Sequence, residues 1–273
     1  MLPAFELNNI SFSYEGVPAI RDLSLHIDPG ERIALLGANG SGKSTLLRIL
    51  DGLCFPVTGS IHFFGEDLSE THLRQETFSL NFRRRVALVF QNPDIQLFNP
   101  TVFDEVAYGP LQLQWSKEEL LQRVNDALTF MAIGPLRDRP PYRLSGGEKK
   151  RVALASVLVL DPDVLLLDEP TVTLDPRSQS QVVDLIQQWK GSSKTVVTAT
   201  HQLEIVEDIA DRVLVLEAGT IIAAGTSSEI LSDTELLLRA NLAHAHRHSH
   251  GGKVHSHPHL HGHTHSHDHT HEE

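Results

Sequence analysis

Cysteine is almost absent: Cys54 is the only one in 273 residues. A lone thiol excludes an intrachain disulfide framework and fits a reducing compartment. Long apolar runs are missing as well. The longest candidates, Val152–Leu160 and Val164–Leu167, are separated by Asp161-Pro162-Asp163, and neither approaches the roughly 18 residues of a membrane-crossing helix. The stretch Met1-Leu2-Pro3-Ala4-Phe5-Glu6 carries neither a basic region nor an apolar segment, so no signal peptide is expected and the chain reads as a soluble cytoplasmic protein. Positive charge is scarce: 23 Lys and Arg face 35 Asp and Glu, a net −12, which argues against general nucleic-acid binding. What is present is 40% hydrophobic residues, enough for the core of one large or two small domains. Histidine is in excess. Of 17, four lie in the body (His26, His62, His72, His201) and thirteen follow Ala243, which marks residues 244–273 as a separate tail.

The most informative stretch is Gly37-Ala38-Asn39-Gly40-Ser41-Gly42-Lys43-Ser44, a G-x-x-x-x-G-K-S (Walker A) pattern. An apolar strand, Glu31–Leu36, precedes it and a helix, Ser44–Leu50 with Thr45 in its first turn, follows; this strand–loop–helix setting is the one the motif requires. Three glycines let the backbone curl so that several N–H groups face one anion, and the helix N-terminus adds its positive end. Lys43 can reach the β- and γ-phosphates of a nucleoside triphosphate and the Ser44 hydroxyl can hold Mg2+.

Around that stretch, strands are expected at residues 5–14, at Leu23–Ile27, at Gly59–Phe64 and at Val86–Phe90, with turns at Glu15-Gly16 and Asp28-Pro29-Gly30. From Thr101 to Leu160 the pattern is helical. Ser116 and Glu119 read as a capping box before Leu120, Leu121, Val124, Leu128 and Met131, a run that Pro140-Pro141 would end. A further helix begins near Glu148. Then come a strand at Val164–Leu167, a helix at Arg177–Lys190, a strand at Thr195–Thr200, another helix and a strand pair near Arg212–Ile222. Strands alternating with helices imply an α/β core, with the central helical block as an inserted subdomain.

Two further motifs carry chemistry. Val164-Leu165-Leu166-Leu167-Asp168-Glu169 is a strand buried on both faces that delivers two carboxylates at its carboxyl end, where α/β sheets bind ligands. Asp168 would hold Mg2+ through water, and Glu169 would polarise the attacking water as general base. Leu144-Ser145-Gly146-Gly147-Glu148 lies directly before a helix, where Ser145 and two glycines offer amides for a second anion site.

With these motifs in this order, residues 5–240 resemble the ATP-binding-cassette ATPases, whose signature is L-S-G-G-Q. The resemblance implies an α/β P-loop NTPase fold: a RecA-like core, an antiparallel β subdomain and an inserted helical subdomain at about 92–160, together spanning residues 1–243. It implies that Gln91 is the Q-loop glutamine that touches Mg2+ and water, and that Thr173-Leu174-Asp175-Pro176 is the D-loop. It also implies that His201 is the switch histidine at the γ-phosphate and that Tyr14 stacks on adenine. Ser145, Gly146 and Gly147 would face the ATP of a second copy, since such cassettes pair head to tail; either a homodimer or a pairing with a related ATPase fits. Glu148 departs from the consensus glutamine and is expected to point to solvent and cap its helix. A chromosome-type cassette would need a long heptad insertion before Asp168, and a translation-type one usually a second cassette and basic linkers; the sequence has none of these.

The segment Phe90-Gln91-Asn92-Pro93-Asp94-Ile95-Gln96-Leu97-Phe98, continued by Thr101-Val102-Phe103-Asp104-Glu105-Val106-Ala107-Tyr108-Gly109-Pro110, is similar to the energy-coupling-factor importers. Lys149-Lys150-Arg151 and Gly225-Thr226 match them too. That likeness implies a groove near Gln91 for a cytoplasmic helix of a membrane coupling subunit, alongside a substrate-binding membrane subunit, and places the chain on the cytoplasmic face of the membrane. The tail alternates imidazoles (His244, His246, His248, His250, His255, His257, His259, His261, His263, His265, His267, His269, His271) with small or polar residues. It cannot form a core and is expected to be disordered, with nitrogen ligands for Zn2+, Ni2+, Co2+ or Cu2+. Cassette and tail together resemble the nickel and cobalt branch, with ATP and Mg2+ as cofactors and Ni2+ or Co2+ as the ion on the tail. A vitamin such as riboflavin or biotin is the alternative cargo.

Overall fold

The computed structural model describes residues 2–172, 174–250 and 253–259, with side chains described as far as Ala243. The amino-terminal half runs β1 (Phe5–Tyr14), β2 (Val17–Ile27), β3 (Arg32–Leu36), α1 (Lys43–Leu50), β4 (Thr58–Phe63), β5 (Glu66–Asp67), α2 (Glu70–Leu73), α3 (Glu76–Arg85) and β6 (Val86–Val89). A helical block follows: α4 (Val102–Gln112), α5 (Lys117–Phe130) and α6 (Gly146–Leu158). The rest is β7 (Val164–Asp168), α7 (Pro176–Gln188), β8 (Thr195–Ala199), α8 (Val206–Ile209), β9 (Arg212–Glu217), β10 (Thr220–Thr226), α9 (Ser227–Ser232), α10 (Thr234–Arg239), β11 (His244–His250) and β12 (Lys253–His259).

The apolar runs of β3 and β7 are buried on both faces because the sheet they join is covered on both sides. Its order is β10-β9-β3-β8-β7-β6, parallel except for β10. Side chains alternate as the pleat demands. Ala34, Leu36, Leu165 and Leu167 pack with Val106, Val124, Val152 and Leu154 of the helical block. Ile33, Leu35, Val164 and Leu166 pack on the opposite face with α1 and with Phe5, Leu7 and Ile61 of a four-stranded antiparallel sheet, β2-β1-β4-β5. In-register pairing of Leu35 and Asp168 with Ala199, and of Val89 with Leu167, brings the carboxyl ends of β3, β8, β7 and β6 side by side. The site is built on that edge.

Several expectations change in detail. β2 starts at Val17 rather than Leu23, because Glu15 (φ 47°) and Gly16 (φ 84°) form a two-residue turn that keeps both strands paired to Tyr14–Val17. The helix after Ser116 stops at Phe130, not at Pro140: Ala132 enters the left-handed region (φ 53°), and the Ile133 N–H closes back on Leu128 O at 2.9 Å. Only half of the expected box at Ser116 forms, its hydroxyl accepting from the Glu119 N–H. Helices α2 and α3 had no strong sequence signal. The expected disorder of the tail is not what residues 244–250 and 253–259 show, where β11 and β12 pair antiparallel. The strict alternation of histidine with other residues is itself a strand pattern, and lack of a core excludes burial but not backbone pairing. Residues 251–252 and 260–273, with His261 to His271, lie outside the described residues.

Below the site, Asp51 after α1 is nearly sealed and binds Arg83 of α3, whose Nη1 donates to its carbonyl (2.7 Å) and carboxylate (3.2 Å). Burial pushes the Asp51 carboxyl up to about 7, with Arg83 pulling the other way. The folded state therefore retains a proton that the unfolded chain has lost, and this group's contribution to stability falls as pH rises from 3.8 to about 7. Arg83→Met should cost about 1–3 kcal/mol at pH 8 and less at pH 5, where Asp51 is protonated in the folded state. Urea unfolding at both pH values checks this; an equal loss at both would contradict it.

Candidate nucleotide-binding site

The loop leaving β3 is shaped by glycine. Gly37, Gly40 and Gly42 have φ of 153°, 82° and 109°. At Gly37 a Cβ would lie 2.4 Å from the backbone oxygen of Leu216 and 2.5 Å from Ser41 Oγ, so only hydrogen fits. Gly42 caps α1 and sets Lys43 as its first residue. The buried Lys43 folds back over the loop, Nζ donating to Gly37 O (2.6 Å) and Ala38 O (3.1 Å). Burial lowers its pKa, against the opposing pull of Glu169 and Asp168. Ser41 Oγ is buried within the cradle without a hydrogen-bond partner among the described residues. Ala38, Asn39 and Gly40 form the outer lip, with Asn39 and Gly40 exposed, and Thr45 is buried behind it.

Across the edge, the Ser44 hydroxyl donates to Asp168 Oδ1 at 3.0 Å. Burial pushes the Asp168 carboxyl above its usual range; the Ser44 bond opposes this and the neighbouring Glu169 adds to it. Glu169 takes a left-handed conformation (φ 46°) just past the strand, held by its N–H to Ala199 O at 2.9 Å. Such a backbone is costly for a side-chain-bearing residue, and here it turns the carboxylate toward β8. His201 Nδ1 lies 2.7 Å from Glu169 Oε1, and the Thr200 hydroxyl donates to Oε2 at 3.3 Å. Tyr14 stands edge-on to Phe12, and its hydroxyl accepts from Arg48 at 3.2 Å.

A cleft of about 490 Å3 joins these parts, lined by Tyr14, Asn39, Lys43, Ser44, Gln91 and Glu169 among others. Three strand ends thus bring together the phosphate loop, a hydroxyl–carboxylate pair and a carboxylate–imidazole pair. The oxygen donors of Ser44, Asp168 and Gln91 are hard ligands of the kind Mg2+ accepts alongside substrate phosphates. The orphaned Ser41 hydroxyl is consistent with a phosphate at the loop. Among the described residues, no group of three or more His, Cys, Asp or Glu is placed to hold a metal by itself.

Ser145, Gly146, Gly147 and Asp175 are not part of this cleft. Ser145 caps α6 in a complete box: its hydroxyl accepts from the Glu148 N–H, and Glu148 Oε2 accepts from the Ser145 N–H (2.8 Å) and hydroxyl (2.9 Å). Those two bonds, the backbone one first, hold the Glu148 carboxyl below its usual range, so the departure from glutamine serves the cap. Asp175 caps α7 through Ser178 and lies beside Gly147. Thr173 lies outside the described residues. Sequence reasoning names Thr200 only as the residue before the switch His201 and gives no role to it, to Arg48 or to the cleft wall at Val17, Pro18 and Ala19. It also gives Lys150 no role beyond the Lys149-Lys150-Arg151 match; that lysine is wholly buried behind the site, with its pKa pushed down to about 8 by burial.

Residues 20–172 match the ABC transporter family. The chain belongs to that family. As an ABC ATPase it is 56% identical to the nickel import ATP-binding protein NikO of Rhodobacter capsulatus, over 89% of this chain and 96% of that protein. It is 44% identical to the energy-coupling factor transporter ATP-binding protein EcfA2 of Methanospirillum hungatei, over 89% of this chain and 60% of that one. The solved structure of CbiO1 from Clostridium perfringens, part of the ABC transporter complex CbiONQ, superposes with a TM-score of 0.73 at 34% identity, covering 89% of this chain and 96% of that one. ABC ATPases hydrolyse ATP to power transport. No described helix is long and apolar enough to cross a membrane.

Proposed function

We propose that this ABC ATPase is the peripheral subunit that energises an energy-coupling-factor importer for nickel or cobalt ions. The observation that carries this reading is the 56% identity to a nickel import ATP-binding protein along nearly the whole of both chains. The thirteen-histidine tail adds to it.

In this reading the loop amides and Lys43 grip the β- and γ-phosphates, and Tyr14 backs the adenine. Ser44, Asp168 and Gln91 would hold Mg2+, which would supply charge neutralisation to the phosphates. Glu169 takes the proton of the attacking water, oriented by His201 and Thr200 on its two oxygens; His201, with its ring half exposed, reaches the γ-phosphate. Ser145, Gly146 and Gly147 lie off their own chain's cleft, which supports a head-to-tail dimer in which a second ATPase subunit supplies them, with Asp175 at the seam. Beyond Gln91, Ile95 and Phe98 are two-thirds exposed and continue into Tyr108 and Leu111. Apolar residues bared beside the Q-loop suit a cytoplasmic helix of the membrane coupling subunit.

A strain lacking this chain should lose ATP-dependent uptake of radioactive nickel or cobalt and regain it with the wild-type chain but not with Glu169→Gln. Unimpaired metal uptake with impaired vitamin uptake would transfer the reading to the vitamin class. The tail is assigned metal binding. Deleting residues 244–273 should lower the number of nickel ions bound per chain in equilibrium dialysis, and acidification below about pH 6.5 should release them, since ligation needs neutral imidazole. Unchanged stoichiometry would contradict a role for the tail.

A further inference from the structure

Lys150 is only 1% exposed, and its partners are backbone oxygens rather than carboxylates. From the second turn of α6 its ammonium donates to Phe90 O (2.9 Å), Gln91 O (3.2 Å) and Asp168 O (3.5 Å). Phe90 and Gln91 follow β6, and Asp168 ends β7, its parallel neighbour. Carbonyls at that edge have run past the ladder and need donors from elsewhere. An ammonium has three N–H donors, one for each. The neighbouring Lys149 instead lies near the surface, paired with Asp94 at 2.6 Å.

We propose that Lys150 is a positioning residue for ATP hydrolysis, fixing the spacing between Gln91 and Asp168 and tying both to the helix that starts at Ser145. Two of the carbonyls it holds belong to residues whose side chains are assigned to Mg2+. Ser145, which caps the helix that carries Lys150, is assigned to the opposite ATP. A shift of α6 relative to the sheet is therefore transmitted by one side chain to both metal-holding residues. Gln96, whose Nε2 donates to Ala153 O (2.9 Å) and Ser156 Oγ (3.1 Å), fastens the loop to α6 further along but does not reach β7. Lys150 alone among these spans all three elements.

The proposal rests on the assignment of Gln91 and Asp168 to Mg2+, and the test separates the two. In the full chain, binding of a fluorescent ATP analogue is titrated with Mg2+ for wild type, Lys150→Met, Lys150→Gln and Asp168→Asn, alongside steady-state ATPase. Lys150→Met keeps the side-chain length and removes every donor. It should raise half-saturating Mg2+ about tenfold and lower kcat by about 10- to 100-fold, as misplacement of reacting groups by about 1 Å does, while analogue binding without Mg2+ stays within about twofold. Lys150→Gln retains two donors and should fall between; it also serves if Lys150→Met does not fold. A wild-type Mg2+ titration in the Lys150 variants, with that of Asp168→Asn displaced, overturns the positioning role even if kcat falls. An undisplaced Asp168→Asn titration overturns the metal assignment on which it rests.

Discussion

Glu169→Gln should bind MgATP with near-wild-type affinity and hydrolyse it at least about 100-fold more slowly. The substitution is isosteric. The glutamine amide can keep a contact to His201 and to the Thr200 hydroxyl, and the left-handed backbone at this position is unaffected by the change. What is lost is the proton acceptor. With hydrolysis blocked and binding intact, the ATP-bound dimer should accumulate, visible as a shift to twice the monomer mass in size-exclusion chromatography with MgATP. Hydrolysis at the wild-type rate would remove Glu169 from the role of general base.

Gly37→Ala should abolish measurable nucleotide binding, a loss of at least about 100-fold, and destabilise the fold by about 2–4 kcal/mol. Its Cβ would approach the Leu216 backbone oxygen of β9 to 2.4 Å, and a strand backbone in the middle of a sheet cannot give way cheaply. Gly40→Ala is the control. It also sits at positive φ, but a Cβ there meets nothing within 4 Å, so only the left-handed cost of about 1–2 kcal/mol applies. Isothermal titration with ATP and urea unfolding of both variants check the contrast. Equal effects would mean that backbone conformation, not the contact with β9, shapes the loop.

The parts of the molecule that could be read in advance are those in which chemistry is written locally. A glycine pattern between an apolar strand and a helix is legible because each residue type answers to one conformational demand. Four aliphatics ending in Asp168-Glu169 are legible because only a strand covered on both faces tolerates them. Lys150 was not. Adjacent to Lys149 and of the same type, it is distinguished only by the side of α6 on which it falls, and α6 is buried on too many sides to show a clear apolar stripe. Likewise the stop of α5 at Ala132 uses a left-handed residue that is neither Gly nor Asn, and the pairing of β2 from Val17 is set by its partner strand rather than by its own pattern. β11 and β12 show the converse: the alternation of histidine fits a paired strand, whereas composition speaks to burial and not to backbone pairing.

The assignment to metal import is tested most directly by purifying the full chain from its native membranes in mild detergent, identifying what co-purifies, and assaying the reconstituted complex for ATP-driven uptake of nickel, cobalt and vitamins. A polytopic coupling subunit with a metal-binding membrane subunit, and uptake of nickel or cobalt that stops in Glu169→Gln, is the expected result. A vitamin-binding subunit with vitamin uptake, or no membrane partner at all, would contradict it.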